Sequence, residues 1–366
     1  MRLLLLAHAP VVHTQRWARA FEARGHDVRL LTLDAAPEAS HPGRVVGARF
    51  PMTALRVVSA VGGVRRELRD FRPDVTVAHF LPDYGFLGAI SGASPLFLVC
   101  WGSDLLLNAT RTPLHRARAR FTLARAALVH VDASVLAKAA IRLGAPAGRV
   151  WNRAWGVDTD ALAPAESWAA RRARAQGPIR LLWTRRLDPL YRPEIFLEAL
   201  ARLRAKRIAF VATMAGDGAA RPAIEDRARA LGVADAVRFT GWVGDAELKA
   251  LLASHDVYVS LSRSDSTSQS LLEAMAAGLV SVVSDIEGNR EWVTHRQEGY
   301  LVPGDDAEAV SCAVAEIAAG PMGREPLQDP GAMAERARAK VGVLARFEDT
   351  VGETETRLQA ISRVQT

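Results

Sequence analysis

Residues 257–284 read VYVSLSRSDSTSQSLLEAMAAGLVSVVS, which is two apolar runs separated by a polar loop and an amphipathic segment. The runs Val257–Leu261 and Val280–Ser284 have the length of buried strands. The segment Ser270–Ala277 between them has the composition of a helix. A strand, a crossover helix and a second strand are the repeating unit of a parallel sheet, so this stretch predicts an α/β fold.

The same alternation of apolar and amphipathic segments extends over most of the 366 residues. Eight further runs are expected to be strands: Leu3–Ala7, Val28–Leu33, Val75–His79, Leu96–Trp101, Leu128–Val131, Arg180–Trp183, Ile208–Met214 and Val237–Thr240. Strands that alternate with helices at this spacing make parallel sheets covered on both faces. We therefore expect two Rossmann-like domains facing a cleft, with the chemistry in loops at the carboxyl ends of the strands.

The expected organisation is a first domain at residues 1–163, a linker at 164–178, a second domain at 179–340 and a C-terminal helix at 341–366 that packs back on the first domain. The linker is placed where alanine, arginine and glutamine give no strand signal. Glycine and proline make Gly320–Gly331 a predicted loop, and a helical pattern without a following strand covers Ala332–Ile361.

Composition argues against several classes of protein. No apolar run reaches the roughly 18 to 20 residues of a membrane span. The apolar core of MRLLLLAHAP is shorter than the about 7 to 15 residues of a secretory signal, so a buried strand is expected there. The two cysteines, Cys100 and Cys312, are far apart in the chain, which indicates a reduced, cytoplasmic protein.

The net charge of +7 arises mainly from arginine, because only four of the 47 basic residues are lysines. We interpret this preference for arginine over lysine as a general feature of the composition of the chain. The stretch Asn108–Ala126 is different because it contains no acid. Its arginines are Arg111, Arg116, Arg118, Arg120 and Arg125. This basic patch is expected to face an acceptor or to make peripheral contact with the inner membrane surface.

Two carboxylates, Asp265 and Glu273, bracket the start of the helix in the opening stretch. Unpaired amides and the positive end of the dipole at a helix start bind anions, and a nucleotide diphosphate suits such a site. Carboxylates accept hydrogen bonds from sugar hydroxyls, so one acid suits a ribose and the other a transferred sugar. Thr267 or Ser268 is suited to cap the helix. The alternative is an ordinary capped helix with incidental acids.

Asp265-x7-Glu273, followed by AMAAG, resembles the E-x7-E signature of retaining GT-B glycosyltransferases, family four in particular. Other segments resemble the family in order and spacing: MAGDG (214–218), RFTGWV (238–243), SDIEGNREWV (284–293) and EGYLVPGDD (298–306) in the second half, and RGHDVRLLT (24–32) and WGSDLL (101–106) in the first. The resemblance covers nearly the whole chain and is more specific in its second half.

The resemblance implies a retaining transferase that moves a sugar from a nucleotide-diphosphate donor to a glycan or lipid-linked acceptor, in cytoplasmic polysaccharide or glycolipid synthesis. Asp265 then holds the donor sugar and Glu273 the ribose. The remaining donor-binding residues are expected to be Thr267, Ser268, Gln269, Gly216, Gly218, Trp242 and Val243. Aspartate stands where the family has glutamate and is one methylene shorter, so a changed sugar preference is one expectation.

Basic side chains are expected to contact the nucleotide diphosphate, which is the leaving group of the reaction. TRRLDPLYRP, residues 184–193, follows the first strand of the second domain. The resemblance implies that Arg186 and Arg192 hold the diphosphate, with Arg185 as a substitute. The departing nucleotide gains negative charge as the glycosidic bond breaks, so fixed guanidinium groups stabilise the transition state more than the ground state.

In the first domain, His13 and Thr14 follow the first strand, where His13 is a candidate catalytic residue. Trp101 stands where the family has histidine, and an indole stacks on a sugar face instead of donating the imidazole's hydrogen bonds. Asp104 is interpreted either as a ligand contact or as a helix cap. His79 ends a strand and is the alternative imidazole. Thr14, His79, Trp101 and Asp104 are thus the predicted acceptor or sugar contacts.

Asp158-x-Asp160 imitates the metal-binding D-x-D of other glycosyltransferases, but the same stretch resembles the family's structural G-V-D segment. We therefore expect metal independence and no cofactor beyond the donor as co-substrate. The runner-up is a catalytically inactive sugar-nucleotide-binding protein. An epimerase requires acid–base carboxylates, and we find no candidates for them in this sequence. A nucleic-acid-binding protein would interleave basic and aromatic residues, which this sequence does not do. A nicotinamide enzyme requires a glycine-rich turn after the first strand, and the residues there contain no glycine.

Overall fold

The computed structural model describes residues 1–48, 50, 52–320 and 329–363. The chain forms two compact units, one made of Met1–Ala154 with the residues from Glu348 onward, the other of Trp155–Phe347. These divisions fall at 154/155 and 347/348, whereas the expected domain ends were at 163 and 340. A contact across the second unit accounts for the difference, because Val157 N–H donates to the carbonyl of Ala345 at 2.8 Å and so ties both ends of that unit together.

The first unit contains a seven-stranded parallel sheet in the order β3-β2-β1-β4-β5-β6-β7. Its strands are β1 (Arg2–Leu6), β2 (Asp27–Thr32), β3 (Arg44–Val45), β4 (Val75–His79), β5 (Leu96–Val99), β6 (Leu128–Val131) and β7 (Val150–Asn152). Its helices include α1 (Val12–Ala23), α2 (Thr53–Phe71), α3 (Phe86–Ser91), α4 (Pro113–Arg125) and α5 (Ser134–Arg142), with π-helical turns at Phe80–Gly85 and Asp104–Asn108.

β1 is an interior strand of that sheet. Leu3 pairs with Val28 of β2 on one side and with Val75 of β4 on the other. Leu3 to Leu6 are fully buried, since helices cover both faces of the sheet at this strand. The prediction that MRLLLL begins the fold as a buried strand is confirmed.

The second unit contains a six-stranded parallel sheet in the order β10-β9-β8-β11-β12-β13. Its strands are β8 (Ile179–Trp183), β9 (Phe210–Met214), β10 (Val237–Phe239), β11 (Val257–Ser260), β12 (Val280–Ser284) and β13 (Gly299–Val302). Its helices include α6 (Trp168–Ala175), α7 (Pro193–Ala205), α8 (Arg221–Ala230), α9 (Asp245–Ser254), α10 (Gln269–Ala276), α11 (Glu287–Arg290), α12 (Ala307–Ala318) and α13 (Pro330–Leu344).

Residues 164–178 are not a linker, contrary to the expectation. They contain α6, capped by the Ser167 hydroxyl. The indole of Trp168 donates to the carbonyl of Asp256 at 3.0 Å, and the Arg171 guanidinium, 1% exposed, donates to the carbonyl of Gly278 at 2.8 Å. The arginines that suggested a solvated segment instead satisfy buried acceptors of the second unit, including the Asp256 carboxylate.

The expected single helix over residues 332–361 is two helices, α13 and α14 (Phe347–Arg363). The break arises because Ala345 and Phe347 exchange backbone hydrogen bonds with Val157. Gly156 permits this approach, since a Cβ there would lie 2.8 Å from the Phe347 Cα. The predicted loop Gly320–Gly331 falls largely outside the described residues.

α14 belongs to the first unit from Glu348 onward, and charged and polar side chains contribute to its contacts with the N-terminal part of that unit. Arg24 pairs with Glu348 at 3.0 Å and lies 3.5 Å from Glu355, and the Thr350 hydroxyl donates to the carbonyl of Ala154 at 3.1 Å. Among the helices that the structure describes, none is both long enough and apolar enough to span a bilayer.

Candidate functional site

The loops after β8 and β11 lie side by side at the point where the strand order of the second sheet reverses. β8 and β11 are neighbours in the sheet but are separated in sequence by β9 and β10. Ligands of open α/β sheets bind in the crevice at such a reversal, beyond the carboxyl ends of the strands. The first loop contains Arg185 and Arg186, and the second contains Asp265 and Ser268.

Arg185 joins the two loops. Its guanidinium donates to the Asp265 carboxylate at 2.6 Å and to the hydroxyls of Ser268 and Ser270 at 2.9 Å each. Its Cζ lies 4.3 Å from the ring centroid of Tyr191. Arg185 is only 13% exposed and Asp265 18%, so the ion pair is largely removed from water.

Burial lowers the pKa of the Arg185 guanidinium, but the Asp265 charge and other nearby groups outweigh burial and raise that pKa above its ordinary value. The guanidinium is therefore permanently charged in the site. Sequence reasoning treated Arg185 only as a substitute and missed Ser270, which also accepts from the hydroxyl of Tyr258 at 2.9 Å. The available signal was the pair of serines in TSQS (267–270), Ser268 and Ser270, which are separated by one residue.

The polar residues at the start of α10 have different roles. Ser268 is the N-cap and accepts from the Leu271 N–H, as predicted for one of the two candidates. Thr267 is buried and its hydroxyl accepts from the Trp292 indole at 3.1 Å, so its side chain supports the loop from behind. The Gln269 amide donates to the carbonyl of Gly156 at 2.8 Å. Glu273 lies half-buried one turn into α10.

The loop that contains Asp265 is fixed from the side of β12 and α11. The Ser284 hydroxyl donates to the carbonyl of Ser262 at 2.7 Å. A Cβ on Gly288 would lie 2.1 Å from the carbonyl oxygen of Ser266, so only glycine lets α11 pack this closely. The SDIEGNREWV segment therefore holds the Asp265 loop in place, and a loop held by its surroundings is preorganised for a ligand.

Gly216 and Gly218 permit a second close approach. A Cβ on Gly216 would lie 2.3 Å from the Arg185 carbonyl oxygen, and one on Gly218 would lie 2.5 Å from that of Leu187. These glycines bring the loop after β9 against the loop after β8. The predicted role of Gly216 and Gly218 in donor binding stays a prediction.

The other predicted cations are placed differently. Arg186 is 64% exposed and its Nε donates to Asp188 at 2.7 Å. Arg192 has a left-handed backbone with φ of 54° and directs its guanidinium to the carbonyl of Leu261 at the end of β11, at 3.4 Å. Arg192 therefore reaches the same edge of the sheet as Arg185, whereas Arg186 extends into solvent.

Trp242 and Val243 follow β10. Trp242 is 79% exposed and Val243 is half-buried. The preceding Gly241 has φ of 74°, and a Cβ there would meet the Arg221 guanidinium at 2.9 Å. Their contact with a nucleotide base remains a prediction.

The first sheet has a matching reversal between β1 and β4, and three predicted residues meet there. The indole of Trp101 lies edge-on to the rings of His13 and His79, with centroid distances of 6.1 and 5.9 Å. Burial lowers the pKa of His79 to about 3, and His130 and His13 act in the same direction. His79 is therefore neutral near pH 7. His13 and Trp101 are the partly exposed members of this aromatic cluster.

Asp104 and Thr14 are fully buried, and their contact with an acceptor or sugar stays a prediction. The Asp104 carboxylate accepts backbone N–H groups of Leu81 at 3.1 Å, Trp101 at 3.1 Å and Leu105 at 2.9 Å. Burial raises the pKa of Asp104 to about 6, although these donors lower it. The Asp104 carboxylate therefore ties the loop after β5 to the loop after β4.

The loop after β4 contains a strained residue. Phe80 has φ of 71°, a left-handed conformation that is rare for a bulky side chain and costs about 1–2 kcal/mol. Its ring lies 6.3 Å from that of Trp101. The Asp104 bond to Leu81, the next residue, contributes to holding Phe80 in this conformation.

The two aspartates of the D-x-D sequence, Asp158 and Asp160, have bonding partners within the protein. Asp158 accepts the Ala161 N–H at 3.0 Å, and Asp160 pairs with Arg346 at 2.5 Å. Within the described ranges, no group of three or more histidine, cysteine, aspartate or glutamate side chains has the arrangement of a metal site.

Two doubly wound parallel sheets, each with polar loops at its reversal point, are typical of the GT-B fold. Residues 165–339 match the glycosyl transferases group 1 family, and residues 9–152 match the glycosyl transferase 4-like domain. The second unit thus carries a glycosyl transferases group 1 domain and the first unit a glycosyl transferase 4-like domain, and the two matches together cover most of the chain.

Curated relatives match about half of the chain. D-inositol 3-phosphate glycosyltransferase 2 of Catenulispora acidiphila is 34% identical over 189 residues, which cover 49% of this chain and 44% of that protein. Glycogen synthase of Mycobacterium tuberculosis is 37% identical over 172 residues, which cover 47% and 39%. The chain thus spans less than half the length of these relatives.

Solved structures agree over the whole fold. Anabaena HepE in complex with UDP superposes with a TM-score of 0.79 at 16% identity, covering 98% of this chain and 100% of HepE. HepE has also been solved with UDP-glucose. Sucrose-phosphate synthase of Thermosynechococcus elongatus gives a TM-score of 0.80 at 18% identity and covers all of both chains. At these identities the likeness shows the fold, and the predicted GT-B architecture is confirmed.

Proposed function

We propose that this protein is a retaining, metal-independent glycosyltransferase that moves a sugar from a nucleotide-diphosphate donor to a glycan or lipid-linked acceptor. The observation that carries the proposal is the Arg185–Asp265–Ser268 constellation at the N-terminus of α10. It combines a helix start, a fixed cation and a carboxylate at the reversal point of the second sheet. These are the elements that a diphosphate and an attached sugar require.

In this proposal the diphosphate lies against the first-turn amides of α10 and is contacted by Arg186 and Arg192. Asp265 accepts hydrogen bonds from hydroxyls of the transferred sugar, and Glu273 accepts them from the ribose. Arg185 keeps the Asp265 carboxylate oriented, because it contacts that carboxylate and the capping Ser268 together. As the glycosidic bond breaks, negative charge grows on the leaving diphosphate, and the cations stabilise it.

For retention, the acceptor hydroxyl attacks the anomeric carbon on the face that the diphosphate leaves. Its proton passes to the departing phosphate, so no separate protein base is required. The first-unit aromatic cluster of His13, His79 and Trp101 is the proposed acceptor or sugar contact, since an indole face and a partly exposed imidazole suit a sugar ring. We place the enzyme in the cytoplasm, with peripheral contact at the inner membrane face.

A thermal-shift screen of nucleotides tests donor binding directly. UDP and UDP-glucose are the first compounds to use because of the HepE complexes. A ligand at 100 times its Kd is expected to stabilise the protein by about 2.7 kcal/mol. GDP-, ADP- and TDP-sugars define the base, and UMP is the control because it lacks the second phosphate. If no nucleoside diphosphate raises Tm more than its monophosphate does, the proposed donor site is wrong.

The inactive binding protein remains the second candidate because Asp265 and Trp101 stand where the family has glutamate and histidine. A transferase leaks some donor to water without acceptor, so slow release of free sugar from UDP-glucose favours the enzyme. Donor affinity with no release of sugar over long incubation favours the binding protein.

Excess EDTA is expected to leave the rate of donor hydrolysis or transfer unchanged. The proposed charge stabilisation comes from guanidinium groups, and Asp160 of the D-x-D imitation is paired with Arg346. The measurement compares initial rates after dialysis against chelator, with and without added Mg²⁺ or Mn²⁺. A rate that disappears with chelator and returns with either ion contradicts metal independence.

A further inference from the structure

The basic patch of the first unit separates into two kinds of arginine. Arg118 is engaged, since its guanidinium donates to the Pro82 carbonyl and its Cζ lies 4.2 Å from the centroid of the Phe86 ring. Arg125 stacks on Phe121 at 3.8 Å. The two are held by the fold, so their presence in the patch has a structural explanation.

The remaining arginines of the patch, Arg111, Arg116 and Arg120, have no such explanation. Their side chains, and that of Arg142 on α5, make no hydrogen bond or ion pair with any residue in the described part of the chain. Most of the other arginines for which the structure describes a contact bind a carboxylate or a backbone carbonyl. Four unpaired guanidinium groups in one region repel one another, and a bound anion relieves that repulsion.

These four arginines line two adjoining grooves with volumes of about 330 and 360 Å³. Arg116, Arg120 and Thr110 line both grooves. Arg116 and Arg120 are one turn apart on α4, so their side chains emerge from the same face of the helix. The second groove also has an apolar side formed by Leu105, Leu106, Ala139 and Leu143.

Neutralising acids are scarce around the grooves. Between Leu105 and Ala154 the chain has nine lysine and arginine residues and one acid, Asp132, which is buried. No carboxylate lines either groove. The charge there is therefore uncompensated, unlike that of Arg29 and Arg44 in the same unit, which both pair with Glu67.

We propose that the grooves between α4, α5 and the turn at Asp104–Asn108 form a binding site for a phosphate group. Guanidinium groups bind phosphate oxygens in pairs, and the leucine side of the second groove contacts an apolar portion of the same ligand. Two sources carry this chemistry, a soluble phosphorylated molecule and the headgroup of an anionic lipid. The site is independent of sugar transfer, because its occupancy requires no donor.

The test uses the full chain and two probes. Tripolyphosphate is titrated by calorimetry, and vesicles of phosphatidylcholine with about 30% phosphatidic acid are tested by co-sedimentation, both at about 0.1 M salt. The variant is Arg116→Gln/Arg120→Gln. The matched control is Arg66→Gln/Arg69→Gln in α2, which removes the same charge from exposed arginines of the same unit.

We expect the wild-type chain to bind at least one probe, the groove variant to bind it at least about tenfold more weakly, and the control to change by less than about twofold. Binding of tripolyphosphate alone assigns the soluble source, and binding of vesicles alone assigns the headgroup. Arg142→Gln is an independent variant on another helix, α5, and is also expected to weaken binding of the probe. Binding of neither probe, or equal weakening by both double variants, overturns the proposal.

Discussion

Replacing Arg186 with alanine is expected to lower kcat by about 10²-fold while Tm stays almost unchanged. Arg186 is 64% exposed and only its Nε is engaged, by Asp188. Its terminal NH₂ groups have no partner among the residues that the structure describes, so they are available to a diphosphate. Arg185, in contrast, already uses both terminal nitrogens within the protein.

The control for Arg186→Ala is Arg263→Ala, another exposed arginine of the second unit, whose Nε donates to the Pro189 carbonyl at 3.1 Å. It is expected to keep turnover within a few-fold of wild type. Steady-state kinetics with UDP-glucose, or with the donor that the nucleotide screen identifies, provide kcat and KM separately. Wild-type turnover in folded Arg186→Ala would remove this residue from the mechanism.

Replacing Arg185 with alanine is expected to lower both stability and activity. The change leaves Asp265 without its ionic partner in a site where that carboxylate is 18% exposed. Removing one member of a largely buried ion pair costs about 3 kcal/mol, equivalent to a Tm decrease of roughly 6 to 12 °C. Ser268 and Ser270 lose the same donor, so the Asp265 loop is no longer held for the sugar.

Two further variants separate a positioning role for Arg185 from loss of folding. Arg185→Lys keeps one charge near Asp265 but cannot bridge a carboxylate and two hydroxyls, so intermediate Tm and donor affinity are expected. In a double-mutant cycle with Asp265→Asn, the two changes should be strongly non-additive, because they remove the same contact. Additive effects on Tm would show that the ion pair contributes nothing to holding the loop.

The fold was largely predictable because buried strands of a doubly wound sheet are apolar on both faces. All ten expected strands overlap observed ones, and β1 and β11 begin at or next to the predicted residues. The strands β3, β7 and β13 were not among the expected ones; all three lie at sheet edges, and β3 and β7 have only two and three residues. The helix at Trp168–Ala175 was missed because its arginines suggested a solvent-exposed segment, whereas Arg171 and Arg172 pair with buried acceptors.

The sequence predicted which loops form the candidate site, but it predicted less well how the side chains in those loops are placed. Parallel strands bring their carboxyl ends to one edge, so residues after β8 and β11 had to lie close together. Which arginine turns inward was not predictable, since Arg185 and Arg186 are adjacent and chemically identical. The burial of Asp104 follows from long-range packing around the loop after β5, which local sequence does not encode.

The contacts of α14 have a consequence for how the chain acquires its structure during synthesis. Residues 155–347 are contiguous, so that unit can complete its core as soon as those residues leave the ribosome. The other unit begins with β1 but recruits α14 from the far end of the chain, through Arg24 and Ala154. A fragment that stops before residue 348 would therefore leave the earliest-made half unfinished, with the surface meant for α14 open to chaperones and proteases.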